Sequence, residues 1–368
     1  MSKKRARDLG LNFRGVTGQH NSLVDVPGVL VGQSEIRGKC ESTGHQIYTG
    51  VTAILPRGTQ SEASPVLAGQ FSLNGNGEMT GSHWIRDAGQ FLGPICLTNT
   101  HSVGIAHHAS VKWMTRQYAQ VFRSEHVWAM PVIAETYDGV LNDIVGQHVT
   151  SDHVLEALNT ARDDWAAEGN TGGGSGMICY EFKGGTGTCS RKLAVAGKEF
   201  ILGVLVQANH GVRDWLAICG EPIGELMQND RLIERETGSI IVIFATDLPM
   251  RPDQLQRLAR RAGLGIGRAG KPGGNNSGDI FLAFSTANPQ PMPGLGSPFA
   301  SIQHINDDLL DTIYLAAVDA TDEAIINAMV AAEDTPTFKP AGRVCRAIDT
   351  ARLVEILQAA GKIRQSAG

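Results

Sequence analysis

The chain predicts a layered α+β fold, an αββα-like sandwich, from three features of its pattern. It holds short buried strands and longer amphipathic helices, and the two kinds of run are segregated along the sequence rather than strictly alternating, which argues against a doubly wound parallel sheet. The strand segments are residues 50–55, 200–207, 239–246 and 279–285, each rich in β-branched or aromatic residues and bounded by glycine or polar turns. One helix is expected over 252–266, where Leu255, Leu258, Ala259 and Ala262 recur at helical spacing behind an Arg251-Pro252-Asp253 start. A second is expected over 322–333, with Ile325, Ile326, Met329 and Val330 on one side.

The 368 residues fit one large domain, and 42% hydrophobic against 19% charged residues supplies a substantial core. A net charge of -5 gives no footprint for nucleic acid, which requires a basic stripe. The basic cluster Lys3, Lys4, Arg5 and Arg7 reads as a solvated, fraying terminus. No apolar run approaches the roughly 20 residues that span a bilayer, and the stretch after the basic start is too polar for a secretory signal. The expected location is the cytoplasm, with the six scattered cysteines reduced. No metal or cofactor motif is found: His101, His107 and His108 have no carboxylate at ligand spacing.

Glycine is abundant, at 44 residues, and clusters at 74–77, 172–176, 184–187 and 273–278, where the backbone must turn tightly or approach something closely. Gly265-Ile-Gly-Arg-Ala-Gly270 imitates a dinucleotide or phosphate loop, but it closes a helix instead of opening one, and Pro272 stands where a phosphate loop needs a hydroxyl. It reads as a helix stop. No nucleophile elbow and no H-E-x-x-H motif occurs.

Gly273-Gly-Asn-Asn-Ser-Gly278 places a flexible loop before a hydroxyl and a hydrophobic strand after it. That layout suits a serine that attacks the carbonyl of its own preceding residue, since flanking glycines admit the strained backbone this requires. Cleavage between Asn276 and Ser277 would free an α-amine, of reference pKa about 7.7–8.0, to act as base for the Ser277 hydroxyl. A Gly/Asn-rich turn entering a strand accounts for the same composition.

Motifs spread along the chain resolve that choice. Gly75-Asn-Gly-Glu-Met-Thr-Gly81, Asn99-Thr-His-Ser-Val-Gly104, Glu135-Thr-Tyr-Asp-Gly139, Gly172-Gly-Gly-Ser-Gly-Met177, Phe182-Lys-Gly-Gly-Thr-Gly187, Val206-Gln-Ala-Asn209 and Asn276-Ser-Gly-Asp-Ile-Phe281 occur in this order. Together they resemble the DmpA/BapA family of L-aminopeptidase D-esterase/amidases and β-peptidyl aminopeptidases, over residues 5 to about 332.

The resemblance implies a four-layer αββα sandwich of the DmpA/ornithine acetyltransferase type, of N-terminal-nucleophile kind, formed by one domain over 1–368 and self-cleaved into an α chain (1–276) and a β chain (277–368). It implies removal of an N-terminal residue from a small peptide, amide or ester, without cofactor, by a homo-oligomer of αβ units, a tetramer. Ser277 becomes the nucleophile, Asn209 an oxyanion donor, Tyr137 a hydrogen-bonding group in the centre, Glu135 the partner of the substrate ammonium, and Lys183 a positive charge near the nucleophile. A hydroxyl and an acid two residues apart in the β chain are expected to support Ser277. Thr321 and Glu323 match that spacing, and so do Asp319 and Thr321. Thr321 equally suits a helix N-cap with Glu323 in the first turn. Acyl transfer, or an uncleaved binding protein on the same fold, are the alternatives to hydrolysis.

Overall fold

Two sheets, each covered by helices on its outer face, make up the protein; the computed structural model describes residues 3–233, 235–290, 292 and 298–363. The first sheet has the order β1-β2-β5-β6, from Leu30–Lys39, Gln46–Leu55, Ile95–Asn99 and Val132–Thr136. The second has the order β4-β3-β12-β11-β10-β9, from Gln90–Phe91, Val66–Ser72, Asp279–Ser285, Ser239–Thr246, Lys198–Asn209 and Gly185–Val195. Its β11–β12 pair is parallel and its other pairs are antiparallel. A small hairpin, β7 (Ile178–Cys179) and β8 (Phe182–Lys183), precedes β9.

Alternation along the strands explains the three apolar layers. In β11, Ile241, Ile243 and Ala245 enter the core between the sheets, while Ile240, Val242 and Phe244 face the helices on the other side. β12 does the same, with Ile280, Leu282 and Phe284 inward and Phe281 and Ala283 outward. Strands buried on both faces read as unbroken hydrophobic runs, which is why these two were recognisable in sequence with their observed limits. The first sheet is covered by α2 (Val103–Gln117) and α4 (Ser151–Asn159), whose Ala106, Ala109, Trp113, Val154 and Leu158 pack on Val51, Ala53, Cys96 and Ile133. Two shorter helices are α1 (Ser82–Ala88), which packs on β3 and β4 of the second sheet, and α3 (Ala119–Ser124), which follows α2. After the short α5 (Ile223–Leu226), the second sheet is covered by α6 (Pro252–Ala259), α7 (Arg261–Arg268), α8 (Leu310–Val330) and α9 (Thr350–Ala359).

Four details depart from the sequence reading. The helix expected over 252–266 is two helices meeting at Arg260, although Gly270, just past the second, does adopt the left-handed φ of 104° that stops a helix. The helix expected from Asp322 begins at Leu310, so Thr321 lies inside it and caps nothing. Asn209 is the last residue of β10 rather than a residue after it. The basic N-terminus is docked instead of fraying: Arg5 pairs with Glu168 at 2.7 Å and Arg7 with Glu323 at 2.8 Å. These buried carboxylates require cations, and the terminus delivers them.

The glycines of α7 have opposite surroundings, which yields a matched test. A methyl at Gly265 would lie 2.6 Å from Thr321 Cβ and 2.9 Å from the Val318 carbonyl of α8, whereas one at Gly267 meets nothing within 4 Å. Both gain about 0.5–1 kcal/mol of helix propensity on replacement by alanine. Overpacking costs about 1–3 kcal/mol. Urea denaturation is therefore expected to show Gly267→Ala stabilised and Gly265→Ala destabilised; equal shifts would contradict the α7–α8 packing.

Candidate active site

One end of the sandwich gathers the residues that can do chemistry. The register pairs Asn209 at the end of β10 with Ser239 at the start of β11, Ile240 with Asp279 at the start of β12, and Ile280 with Ser72 at the end of β3. The end of β6, carrying Glu135 and leading to Tyr137, comes to the same place from the other sheet: Asn209 Nδ2 donates to the Tyr137 carbonyl at 3.0 Å. Gln207, two residues earlier on the same face, donates across the sheets to the Thr98 carbonyl at 2.9 Å and to Thr136 Oγ1 at 2.8 Å. These bonds lock the two sheets together beside the site.

Ser277 is fully buried in the turn that enters β12. Its Oγ accepts from Lys271 Nζ at 2.6 Å and lies 2.7 Å from both the Gly238 carbonyl and Asp279 Oδ1, either of which can take its single proton. Ser277 and Asp279 meet because residues i and i+2 of an extended segment share a face. Lys271 and Asp279, both with fully buried side chains, are ion-paired at 2.8 Å. Asp279 Oδ2 also accepts from Asn74 Nδ2 at 3.2 Å. Glu236 lies 3.9 Å from Lys271 and accepts from the amides of Gly211 at 2.7 Å and Gly238 at 3.2 Å, so it fixes the loop that presents the Gly238 carbonyl. Burial raises the Glu236 carboxyl above its usual range, against the pull of the Lys271 charge. Burial, aided by the same charge, holds His210 far below the ordinary imidazole range, so this neighbour stays neutral.

The sequence-predicted residues fall into two groups. Ser277, Asn209, Tyr137 and Glu135 come to this end of the sandwich. A narrow cavity runs between Asn209, Tyr137, Val140, Ile178, Thr237 and Gly238. Asn209 Oδ1 is held by the Ile178 amide at 2.8 Å, and Nδ2 carries a second hydrogen beyond the one given to Tyr137. The Tyr137 hydroxyl accepts from Lys339 Nζ at 2.6 Å. Glu135 is buried in β6, not solvated in a turn; it accepts from Thr100 Oγ1 and from the Glu78 amide, at 3.0 Å for the latter. Burial raises its carboxyl pKa.

Lys183, Thr321 and Glu323 are corrected. The Lys183 ammonium donates to the carbonyls of Gly174 at 3.2 Å and Gly184 at 2.8 Å, and burial lowers it to about 7; the lysine bonded to Ser277 is Lys271. The Thr321 hydroxyl returns to the Ala317 carbonyl four residues back in α8 at 2.8 Å. Glu323 is enclosed by Arg7, Asn21 and Arg191, each within 2.8 Å. Asp319 binds Arg268 and lies 3.5 Å from Arg14. Ser277 and Asp279 are themselves a hydroxyl and an acid two residues apart, in contact at 2.7 Å. Lys271, Glu236, Asn74 and Asn76 went unrecognised because loops bring them to the site from other parts of the chain.

An αββα sandwich with a buried serine, lysine and carboxylate where its central strands begin fits a serine amide hydrolase of the N-terminal-nucleophile kind. The model of peptidase family S58 matches residues 21–342, and the chain belongs to that family. It is 48% identical to the β-peptidyl aminopeptidase BapA of Sphingosinicella microcystinivorans over 347 residues, 89% of this chain and 86% of that one. Its structure matches the L-aminopeptidase D-Ala-esterase/amidase of Ochrobactrum anthropi with a TM-score of 0.94 at 52% identity, covering 98% of this chain and 100% of that one. It also matches a β-aminopeptidase of a Burkholderia species with a TM-score of 0.87 at 43% identity, covering 97% and 99% of the two chains. The protein is thus an aminopeptidase/amidase-type hydrolase. Among the described residues no helix is long and apolar enough to cross a membrane.

Two measurements test this electrostatic arrangement. Removing one partner of a buried ion pair costs about 3–5 kcal/mol because the other charge is left uncompensated. Chemical denaturation of Lys271→Met is expected to show a loss of that order, part of which Lys271→Met/Asp279→Asn recovers; additive losses would exclude the coupling. Asp138, next to Tyr137, is held up to about 7 by burial despite hydrogen bonds from Thr49, Asn142 and Asn99. An unfolded carboxyl ionises near about 3.9 while the folded one keeps its proton, so this group makes stability fall as pH rises from roughly 4 to 7. Asp138→Asn is expected to flatten that part of the profile, with its advantage absent below pH about 4 and full above about 7. Parallel profiles would refute the assignment.

Proposed function

We propose that the protein is a self-processing aminopeptidase that cuts its own Asn276–Ser277 bond and then releases N-terminal residues from small peptides, amino-acid amides or esters. The observation that carries this reading is the Ser277 hydroxyl, buried beside its own upstream peptide bond and held by Lys271, Asp279 and the Gly238 carbonyl. In the uncleaved chain Asp279 takes the hydroxyl proton as Oγ attacks the Asn276 carbonyl carbon. The C–N bond breaks, the proton passes to the departing Ser277 nitrogen, and water hydrolyses the resulting ester.

The freed α-amine of Ser277 is then the base for its own hydroxyl. Asn209 supplies the N–H left free by Tyr137 to the oxyanion of the substrate, a contact of a kind worth about 3–4 kcal/mol. Tyr137 adds a hydroxyl at the cavity, polarised by Lys339. Glu135 receives the substrate ammonium. In this reading the enzyme works in the cytoplasm as a homo-oligomer, a tetramer of αβ units, for which exposed Trp128, Val145 and Trp165 offer apolar surface.

Denaturing electrophoresis with mass spectrometry is expected to show fragments 1–276 and 277–368 in the wild type and one full-length band in Ser277→Ala. Hydrolysis of an amino-acid p-nitroanilide should proceed with no acceptor amine present and be lost in the same variant. An intact wild-type chain would sink the self-processing reading. Turnover only with an added amine would make the enzyme an acyltransferase.

A further inference from the structure

After α8 the chain comes back to the site in the stretch Thr335-Pro-Thr-Phe-Lys-Pro-Ala-Gly-Arg-Val-Cys345. Its ends pair as β13 (Thr335–Pro336) and β14 (Val344–Cys345), and Gly342 turns it with a left-handed φ of 85° that suits glycine. The hairpin is fixed against one wall of the cavity that Tyr137, Val140 and Asn209 line: the amides of Phe338 and Lys339 both donate to the Val140 carbonyl, at 2.8 and 3.0 Å. The Phe338 ring packs with its centre 5.2 Å from that of His45. The backbone of Lys339 is thereby held while its side chain stays exposed. Its ammonium donates to the Tyr137 hydroxyl at 2.6 Å and lies 5.3 Å from the centre of the Tyr137 ring. Among the described residues no carboxylate lies within 4.0 Å of it. Tyr137 thus joins an unneutralised cation, bound at its hydroxyl, to Asn209, bound at its carbonyl.

We propose that Lys339 is a specificity-determining residue whose ammonium receives the free C-terminal carboxylate of a short peptide substrate. This rests on the aminopeptidase reading above and is independent of any cut the chain makes in itself. A dipeptide carries a charge at each end. With its amine at Glu135, the carboxylate beyond the scissile bond loses water on entering the cavity, and a cation there offsets that loss. In an extended chain this carboxyl carbon stands only about 3.3–3.6 Å past the scissile carbonyl carbon, one residue's length. The cation that meets it must therefore adjoin the catalytic groups, as Lys339 does through Tyr137. An ammonium has three N–H groups, of which Tyr137 takes one and leaves two for the carboxylate. Hydrogen bonds between ions are stronger than those to a neutral amide, so the site selects for charge.

The test compares hydrolysis of a dipeptide and of the same dipeptide as its C-terminal amide, by chromatography of the products, in wild type, Lys339→Met and Lys339→Arg. The N-terminal residue is one whose p-nitroanilide the wild type cleaves. The ratio of kcat/KM for the acid to that for the amide is expected to fall about tenfold in Lys339→Met, mainly through a higher KM for the acid, and to be retained in Lys339→Arg. Comparing ratios cancels the different reactivity of the two leaving amines. It also cancels any rate that Lys339 supplies through the Tyr137 hydroxyl, because that is lost from both substrates alike. An unchanged ratio in Lys339→Met would overturn the proposal, whether both activities fall together or neither does. A ratio that falls as far in Lys339→Arg would overturn it too, because the positive charge is still present. If the wild type hydrolyses no p-nitroanilide, dipeptide or amide, the aminopeptidase reading fails instead. Thermal melting of the three proteins checks that the fold is retained.

Discussion

The Asp279 carboxylate is the contact on which the site depends. One of its oxygens takes both the Lys271 ammonium and the Ser277 hydroxyl, and the other takes the Asn74 amide. A buried carboxylate with no such partners would incur several kcal/mol of desolvation. Here it is satisfied by three separate stretches of chain: the loop after α7, the start of β12 and the turn after β3. The same carboxylate therefore orients the Ser277 hydroxyl and fixes the three stretches that enclose it.

The layers were legible in the sequence because burial writes itself into residue type. β11 and β12 are apolar along their length but for their end residues, since both of their faces are covered. Ser277 stood out in the sequence as a candidate, through its glycine-flanked position before a strand; the buried groups that hold its hydroxyl did not. Lys271 and Glu236 are ordinary charged residues in glycine-containing loops, and nothing local distinguishes a lysine that will be buried against a carboxylate from one that will be solvated. Thr321 and Glu323 had the right spacing, but spacing within a helix sets only which residues share a face. Arg7 and Arg191 decided where the Glu323 face points.

The glycine cluster at 172–176 shows how composition signals close approach without identifying the neighbour. These residues are buried between the sheets, where a Cβ at Gly173 would lie 2.2 Å from Gln207 Oε1 and 2.5 Å from the Leu97 carbonyl. At Gly174 it would lie 2.2 Å from the Thr186 amide nitrogen. The cluster thus threads between β5, β9 and β10 on the sheet-facing side of the Gln207 bridge. Its glycines mark a structural wedge beside the site, whereas Gly77 and Gly278 bring two backbones together next to Ser277.

The position of β12 inside the second sheet has a kinetic consequence. The proposed cut ahead of Ser277 would free the end of a strand that is hydrogen-bonded to β11 on one side and β3 on the other, so the new terminus would appear without any element leaving its place. Once such a nicked molecule is fully unfolded, however, β12 and α8 belong to a separate polypeptide. Reassembly must then begin with an encounter between two chains, and the recovered fraction depends on protein concentration. Folding is a one-molecule event only before the cut. Such a cut would convert a reversible fold into one whose persistence is governed by how slowly its central sheet opens.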